Sequence, residues 1–170
     1  ELYVDAIMSA PPGGKPSALT KGQWEASAVQ WSTDGGSAFF TCNRNAPGDY
    51  EVCAVGRDGG AIREVTALDG VEGSTLSPDG RNLLVQYSAS FLPPQLAIVP
   101  SAGGAPVKLT DTRTAEFRAR SWIEPQFVQV PSTHGAGAIH AKLYRPAQLE
   151  PGRKYPVVMF VHGAGYLQNV

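Results

Sequence analysis

The sequence predicts a mainly β chain, built from repeated four-stranded antiparallel sheets as far as about residue 115 and from a different strand-led pattern beyond it. Three observations carry that expectation. A repeat recurs with a period near 45 residues, Asp-Gly turns stand between apolar runs at the same period, and both features stop after Thr110.

The repeat has two independent landmarks. Glu51-Val52-Cys53-Ala54-Val55, followed by Gly59-Gly60 and Val65-Thr66, returns as Gln95-Leu96-Ala97-Ile98-Val99, Gly103-Gly104 and Leu109-Thr110. An earlier copy reads Leu2-Tyr3-Val4-Asp5-Ala6, Gly13-Gly14 and Leu19-Thr20. The second landmark, Trp31-Ser32-Thr33-Asp34-Gly35, is matched 45 positions later by Leu76-Ser77-Pro78-Asp79-Gly80. Such a period is the signature of β-propeller blades. Asp-Gly reverses the chain because glycine enters positive φ freely while Asp bonds its own backbone, so the flanking apolar runs fold back as a hairpin. The Gly-Gly pairs form the next turn, leading to an edge strand that ends in Val-Thr or Leu-Thr.

These signals place a half blade first, one complete blade at about 25–66 and a second at about 71–110. Ala38 to Cys42 and Asn82 to Tyr87 are rich in β-formers and lack helical periodicity, so almost no helix is expected before residue 110. A meandering sandwich with coincidental turns is the plainer alternative, and two landmarks in phase argue against it. Two and a half blades cannot close a ring. Further blades are therefore expected upstream, and the opening run Leu2 to Ile7 reads as mid-strand, with the natural N-terminus before it.

Composition narrows the function classes. Lys plus Arg total 14 against 15 Asp plus Glu, with no basic stretch interleaved with aromatics, so nucleic acid is not an expected partner. The strongest apolar run, Val157 to Val161, is too short to span a bilayer, and no targeting segment is legible. Cys42 and Cys53 are the only cysteines and have no zinc-site spacing, so neither metal nor cofactor is expected. Symmetric pairing about the turn Ala46 to Asp49 sets Cys42 opposite Cys53, close enough to bridge. Small cysteines also lie buried and unbridged inside strands, and both readings stay open.

After Thr110 no further Ser-Pro-Asp-Gly arrives. Pro125 to Pro131 and Ala138 to Tyr144 read as alternating strands around the turn Thr133 to Gly137, and Arg145-Pro146 closes the second. Tyr155 to Val161 is a continuous apolar run of the kind buried on both faces of a mainly parallel sheet. It ends in His162-Gly163-Ala164-Gly165. Small residues after a buried strand let backbone N–H groups point into a cleft, as an oxyanion hole requires. The plainer reading of the same residues is a tight strand exit. An α/β-hydrolase places a His-Gly-type motif at this position.

This order of events resembles the prolyl oligopeptidase family over the whole chain: blades marked by Ser77-Pro78-Asp79-Gly80, the strand end Leu143-Tyr144-Arg145-Pro146, then Lys154 to Val158 and Val161-His162-Gly163. Bacterial dipeptidyl peptidase IV-like and acylaminoacyl-peptidase-like members are the most similar subgroups. The resemblance implies C-terminal blades of a β-propeller over 1–115 and the first strands of an α/β-hydrolase domain over 116–170. It implies a serine-type oligopeptidase or dipeptidyl peptidase that cleaves short peptides through an acyl-enzyme. His162, Gly163 and Ala164 become oxyanion-hole candidates, with the backbone of Gly163 and Ala164 preferred. His162 matches the place of a donating tyrosine in dipeptidyl peptidase IV. Tyr166 is a weaker candidate for lining the pocket. Ala164-Gly165-Tyr166 departs from the commoner Gly-Pro continuation.

No Gly-x-Ser-x-Gly elbow is present, so His134, His140 and His162 are not expected to act as base, nor Asp34 and Asp79 as triad acid. The 170 residues alone are expected to be inactive, and the apolar strand would expose surface without its neighbours. Short peptides and the remainder of the same polypeptide or a second copy are the partners implied, with a periplasmic or secreted setting preferred to a cytoplasmic one. Two other classes fit parts of the pattern: a non-catalytic propeller that binds protein, which leaves 126–165 unexplained, and an esterase or lipase with a β-rich extension, which leaves the repeat without purpose.

Overall fold

The computed structural model describes residues 6–135, 137–161 and 163. The short strands β1 (Met8–Ser9) and β2 (Ser17–Ala18) pair first. A four-stranded sheet follows, formed in order by β3 (Ala26–Trp31), β4 (Ser37–Cys42), β5 (Glu51–Gly56) and β6 (Arg63–Glu64). A second repeats it with β7 (Val71–Leu76), β8 (Asn82–Ala89), β9 (Leu92–Pro100) and β10 (Val107–Lys108). Every neighbouring pair is antiparallel. The chain is mainly β, in sheets of the kind that make propeller blades. Helix α1 (Ala115–Ala119) and the hairpin of β11 (Gln126–Pro131) and β12 (Ala138–Leu143) come after the repeat has ended.

The period in the sequence returns as a period in hydrogen bonds. In the first Asp-Gly turn, the Ser32 hydroxyl donates to Asp34 Oδ1 at 2.6 Å and Gly36 N–H donates to the same oxygen at 2.9 Å. In the second, Ser77 donates to Asp79 Oδ1 at 2.6 Å and Arg81 N–H at 3.0 Å. Gly35 and Gly80 hold φ of +66° and +71°, a region that costs any residue with a Cβ about 1–2 kcal/mol. These short links hold Asp34 and Asp79 below the usual carboxylate range, the serine hydroxyls first and the backbone N–H groups second.

The Val-Thr and Leu-Thr ends also do one job three times. Thr20, Thr66 and Thr110 each accept, on the hydroxyl oxygen, the N–H of Ile7, Val52 and Leu96 at 2.8, 2.8 and 2.9 Å. That equivalence corrects the earliest copy of the repeat. The residue that matches Val52 is Ile7, which leads into Met8–Ser9, because the threonine bond sets the register. Ala6 is outside any strand, and residues 2–5 lie outside the described residues.

Two apolar layers hold the sheets together. Ile7, Leu19, Ala26, Ala38, Phe40, Cys42, Cys53 and Val55 fill the space between the β1–β2 pair and the first sheet. Phe39, Val52, Ala54 and Val65 meet Val71, Leu83, Val85, Tyr87, Ala97 and Val99 across the gap to the second. Alternate residues of β4 and β5 therefore serve opposite layers, as the two-residue period of a strand requires. Polar links add to the second layer. A bulge between Ser27 and Gln30, with Ala28 at φ +51°, re-aims the Gln30 amide. Its Nε2 donates to Ser74 O at 2.7 Å, and its Oε1 accepts from Leu76 N–H at 2.9 Å. Thr33 donates to Pro78 O at 3.1 Å and Arg63 to Ser101 O at 3.1 Å.

The cysteine register differs from the symmetric one. Cys42 stands opposite Glu51, and Cys53 opposite Phe40, because the hairpin turns about one residue earlier than the centre of Ala46 to Asp49, which shifts each cross-strand partner by two. The two cysteines are diagonal neighbours with Cα atoms 6.1 Å apart, and a disulfide joins them.

Candidate functional site

The segment after the repeat folds back on the end of the second sheet. Asp111 takes the Arg113 guanidinium on both oxygens at 2.8 and 2.9 Å and Arg118 at 2.8 Å, and the Arg113 bond above all holds its carboxyl well below the usual range. Thr114 then caps α1, its hydroxyl accepting Phe117 N–H at 3.1 Å. The helix delivers Phe117 to Trp122, with ring centres 4.6 Å apart, and the Trp122 Nε1–H donates to Phe117 O at 3.0 Å.

Trp122 in turn stacks on Phe91, in the turn between β8 and β9, at 5.0 Å, and Tyr144 meets the same ring edge-on at 6.3 Å. Lys142 of β12 reaches Ser90 Oγ at 3.4 Å and lies 5.4 Å from the centre of the Phe127 ring. Partial burial lowers the Lys142 pKa. The aromatic bridge thus ties α1, the Trp122 segment and the β11–β12 hairpin to one turn of the second sheet. Sequence reading missed this bridge and α1. Phe91, Phe117 and Trp122 lie in segments without periodicity, and their signal was only the aromatic residue type in loop positions.

The candidate oxyanion-hole residues stand past this junction. His162, Ala164 and Tyr166 lie outside the described residues, while Gly163 has open space where a Cβ would stand. The apolar run that leads to them does not form the expected buried strand. Val157, Val158, Met159, Phe160 and Val161 are 76–96% exposed and form no strand. A strand of this type is stabilised by partners on both edges and cover on both faces, and no described strand pairs with it. His134 lies in the exposed turn before β12, with Nδ1 3.0 Å from the hydroxyl of its neighbour Thr133, and His140 is exposed on β12. Asp34 and Asp79 are turn residues. Among the described residues no group of three or more His, Cys, Asp or Glu could hold a metal ion, and no helix is long and apolar enough to cross a membrane.

Two open depressions line the sheets: one of about 450 Å³ beside Lys21, Arg44 and Asp58, and one of about 330 Å³ on the outer face of the second sheet beside Leu84, Gln86 and Leu96. Neither brings a nucleophile and a base together.

Comparison with known proteins agrees with the architecture. The chain is similar to a probable dipeptidyl-aminopeptidase B of Sclerotinia sclerotiorum, 23% identical over 162 residues and 92% of the chain. It is similar to another of Tuber melanosporum, 28% identical over 162 residues and 91% of the chain. It spans 18% of the length of each of these relatives. A family model described as the dipeptidyl peptidase IV (DPP IV) N-terminal region matches residues 6–94, more than half of the chain, from before β1 to the first residues of β9. The chain therefore belongs to the dipeptidyl peptidase IV N-terminal region family.

Proposed function

We propose that the chain is the junction of a serine-type dipeptidyl peptidase or oligopeptidase: the last blades of its propeller over 1–115 and the start of its α/β-hydrolase domain over 116–170. One observation carries this reading. The similarity to the probable dipeptidyl-aminopeptidases extends over 162 residues, too many to be held by the blades alone, so it reaches the segment past Thr110. A non-catalytic propeller module leaves that stretch without a role. An esterase with a β-rich extension gives no reason for two sheets that repeat one another in strand order and in their Asp-Gly turn and threonine bonds.

In this reading the blades wall the route to the reacting centre, and short peptides are admitted by size. The aromatic bridge of Phe91, Trp122 and Tyr144 fixes the hydrolase start against the propeller. The backbone N–H groups of Gly163 and Ala164 are assigned the oxyanion of the tetrahedral intermediate, with His162 as the other candidate donor and Tyr166 as a candidate pocket residue. Serine, histidine and aspartate of the triad come from elsewhere in the polypeptide.

The test compares the 170-residue chain with the longer polypeptide that carries it. The longer form is expected to release chromophore from dipeptidyl substrates and to be labelled by a serine-directed fluorophosphonate. The 170-residue chain is expected to do neither. Turnover by the pure short chain, or absence of labelling in the long one, overturns the proposal.

A further inference from the structure

We propose that the tip of the β8–β9 hairpin, Ser90 and Phe91, is a releasable seat for the β11–β12 hairpin, which opens from it as a unit while the two four-stranded sheets stay closed. The second sheet departs from the first at this tip. Strands β4 and β5 have six residues each and are joined by the loop 43–50, whereas β8 and β9 have eight and nine and are joined by Ser90 and Phe91 alone. Ala89 pairs with Leu92, so the turn has no slack. The longer hairpin therefore carries one aromatic ring past the end of the pattern that it otherwise repeats.

This arm is braced near its end. The ladder between β8 and β9 shifts register between Tyr87 and Ala89, and Ser88 N–H donates to Gly70 O at 2.8 Å. A shift of that kind bends the strand that carries it. Gly70 holds φ +63°, and a Cβ there would stand 1.7 Å from Ser88 O. Glycine at this position lets the link between the two sheets close against the arm. Phe91 belongs to neither of the two apolar layers that hold the sheets together.

Both ends of the β11–β12 hairpin close on that one ring. Trp122, just before β11, stacks on Phe91 at 5.0 Å, and Tyr144, the residue after β12, meets it edge-on at 6.3 Å. Lys142 of β12 donates to Ser90 Oγ at 3.4 Å. Among the described residues, the backbone of β11 and β12 comes near no other strand and not near α1. Val130, Ile139 and Leu143 stay 40–52% exposed, as strands without cover would be. Helix α1 has its own tie, the exposed pair of Arg118 and Asp111, which precedes Trp122 in the chain. A two-stranded hairpin by itself is marginally stable in water, so this one borrows its order from the seat.

Amide hydrogen exchange of the full 170-residue chain tests the seat. In the parent chain the amides of β11 and β12 are expected to exchange as one group, ahead of those of β4, β5 and β8. Phe91→Ala is expected to speed that group about tenfold, as the loss of two aromatic contacts of ordinary strength would, and to leave β4, β5 and β8 within about twofold of the parent. Phe91→Tyr keeps the ring and is expected to exchange like the parent. Trp122→Ala removes the stack from the other partner, leaves the arm unaltered and is expected to reproduce the Phe91→Ala pattern. Where Phe91→Ala also loosens the second sheet, Trp122→Ala decides. A hairpin as slow in either alanine variant as in the parent, or a rise shared equally by the sheets in Trp122→Ala, overturns the proposal. None of these readouts uses catalysis, so the seat stands or falls apart from the function proposed above.

Discussion

The two four-stranded sheets repeat one another in strand order and in hydrogen bonds, yet they differ in what covers them. The first is buried on both faces: Ala38, Phe40 and Cys42 on one, Phe39, Val52 and Ala54 on the other. The second buries Leu83, Val85 and Tyr87 on its inner face, while Leu84 on its outer face is 44% exposed. Residue pattern does not separate the two cases, since Leu84 and Phe39 hold equivalent places in the repeat. Burial follows from whether a neighbouring sheet is present. The sequence alternation only makes each face able to receive one.

Substitutions in the doubly covered sheet should break this difference most sharply. Phe40→Ala removes a ring that is 1% exposed and stacked with Trp24, and is expected to cost about 3–5 kcal/mol in urea denaturation. Gln30→Ala comes next. It strips Leu76 N–H and Ser74 O of their partner between the sheets, and a loss of about 2 kcal/mol is expected in the same measurement. Gly80→Ala, at φ +71°, should cost about 1 kcal/mol through backbone strain in a turn with no steric crowding.

Acid should weaken both sheets through the same device. Asp34 and Asp79 have carboxyls lowered on folding, so their contribution is present above the ordinary value near 3.8 and is lost as pH falls through the folded values. Replacing both by Asn is expected to flatten the acid limb of Tm against pH. Smallest of all, Leu84→Ser on the open face is expected to stay within about 0.5 kcal/mol in this chain. A larger loss in a longer polypeptide would show that a further sheet covers that face there.

Much of the blade architecture was legible because its causes are local. Asp-Gly at 34–35 and 79–80 needs only its own serine and backbone to turn, and the threonines at 66 and 110 need only the adjacent strand. The candidate site was less legible. Tyr155 to Val161 has the composition of a buried central strand, but composition cannot supply the strands on either side. The register of Cys42 and Cys53 was off by two residues because turn chemistry alone did not locate the centre of an eight-residue loop.

What the sequence determined by itself was the repeat, its turns and the point where it stops, since each is set by contacts between residues close along the chain. Tertiary structure alone decided which faces are buried, how Gln30 and Phe91 reach across to other elements, and which partners Glu51 and Gln95 meet at matching places in the repeat. These depend on desolvation and on neighbours brought from 17 to 46 residues away, and no local pattern encodes the dielectric that a side chain will meet once the sheets have packed.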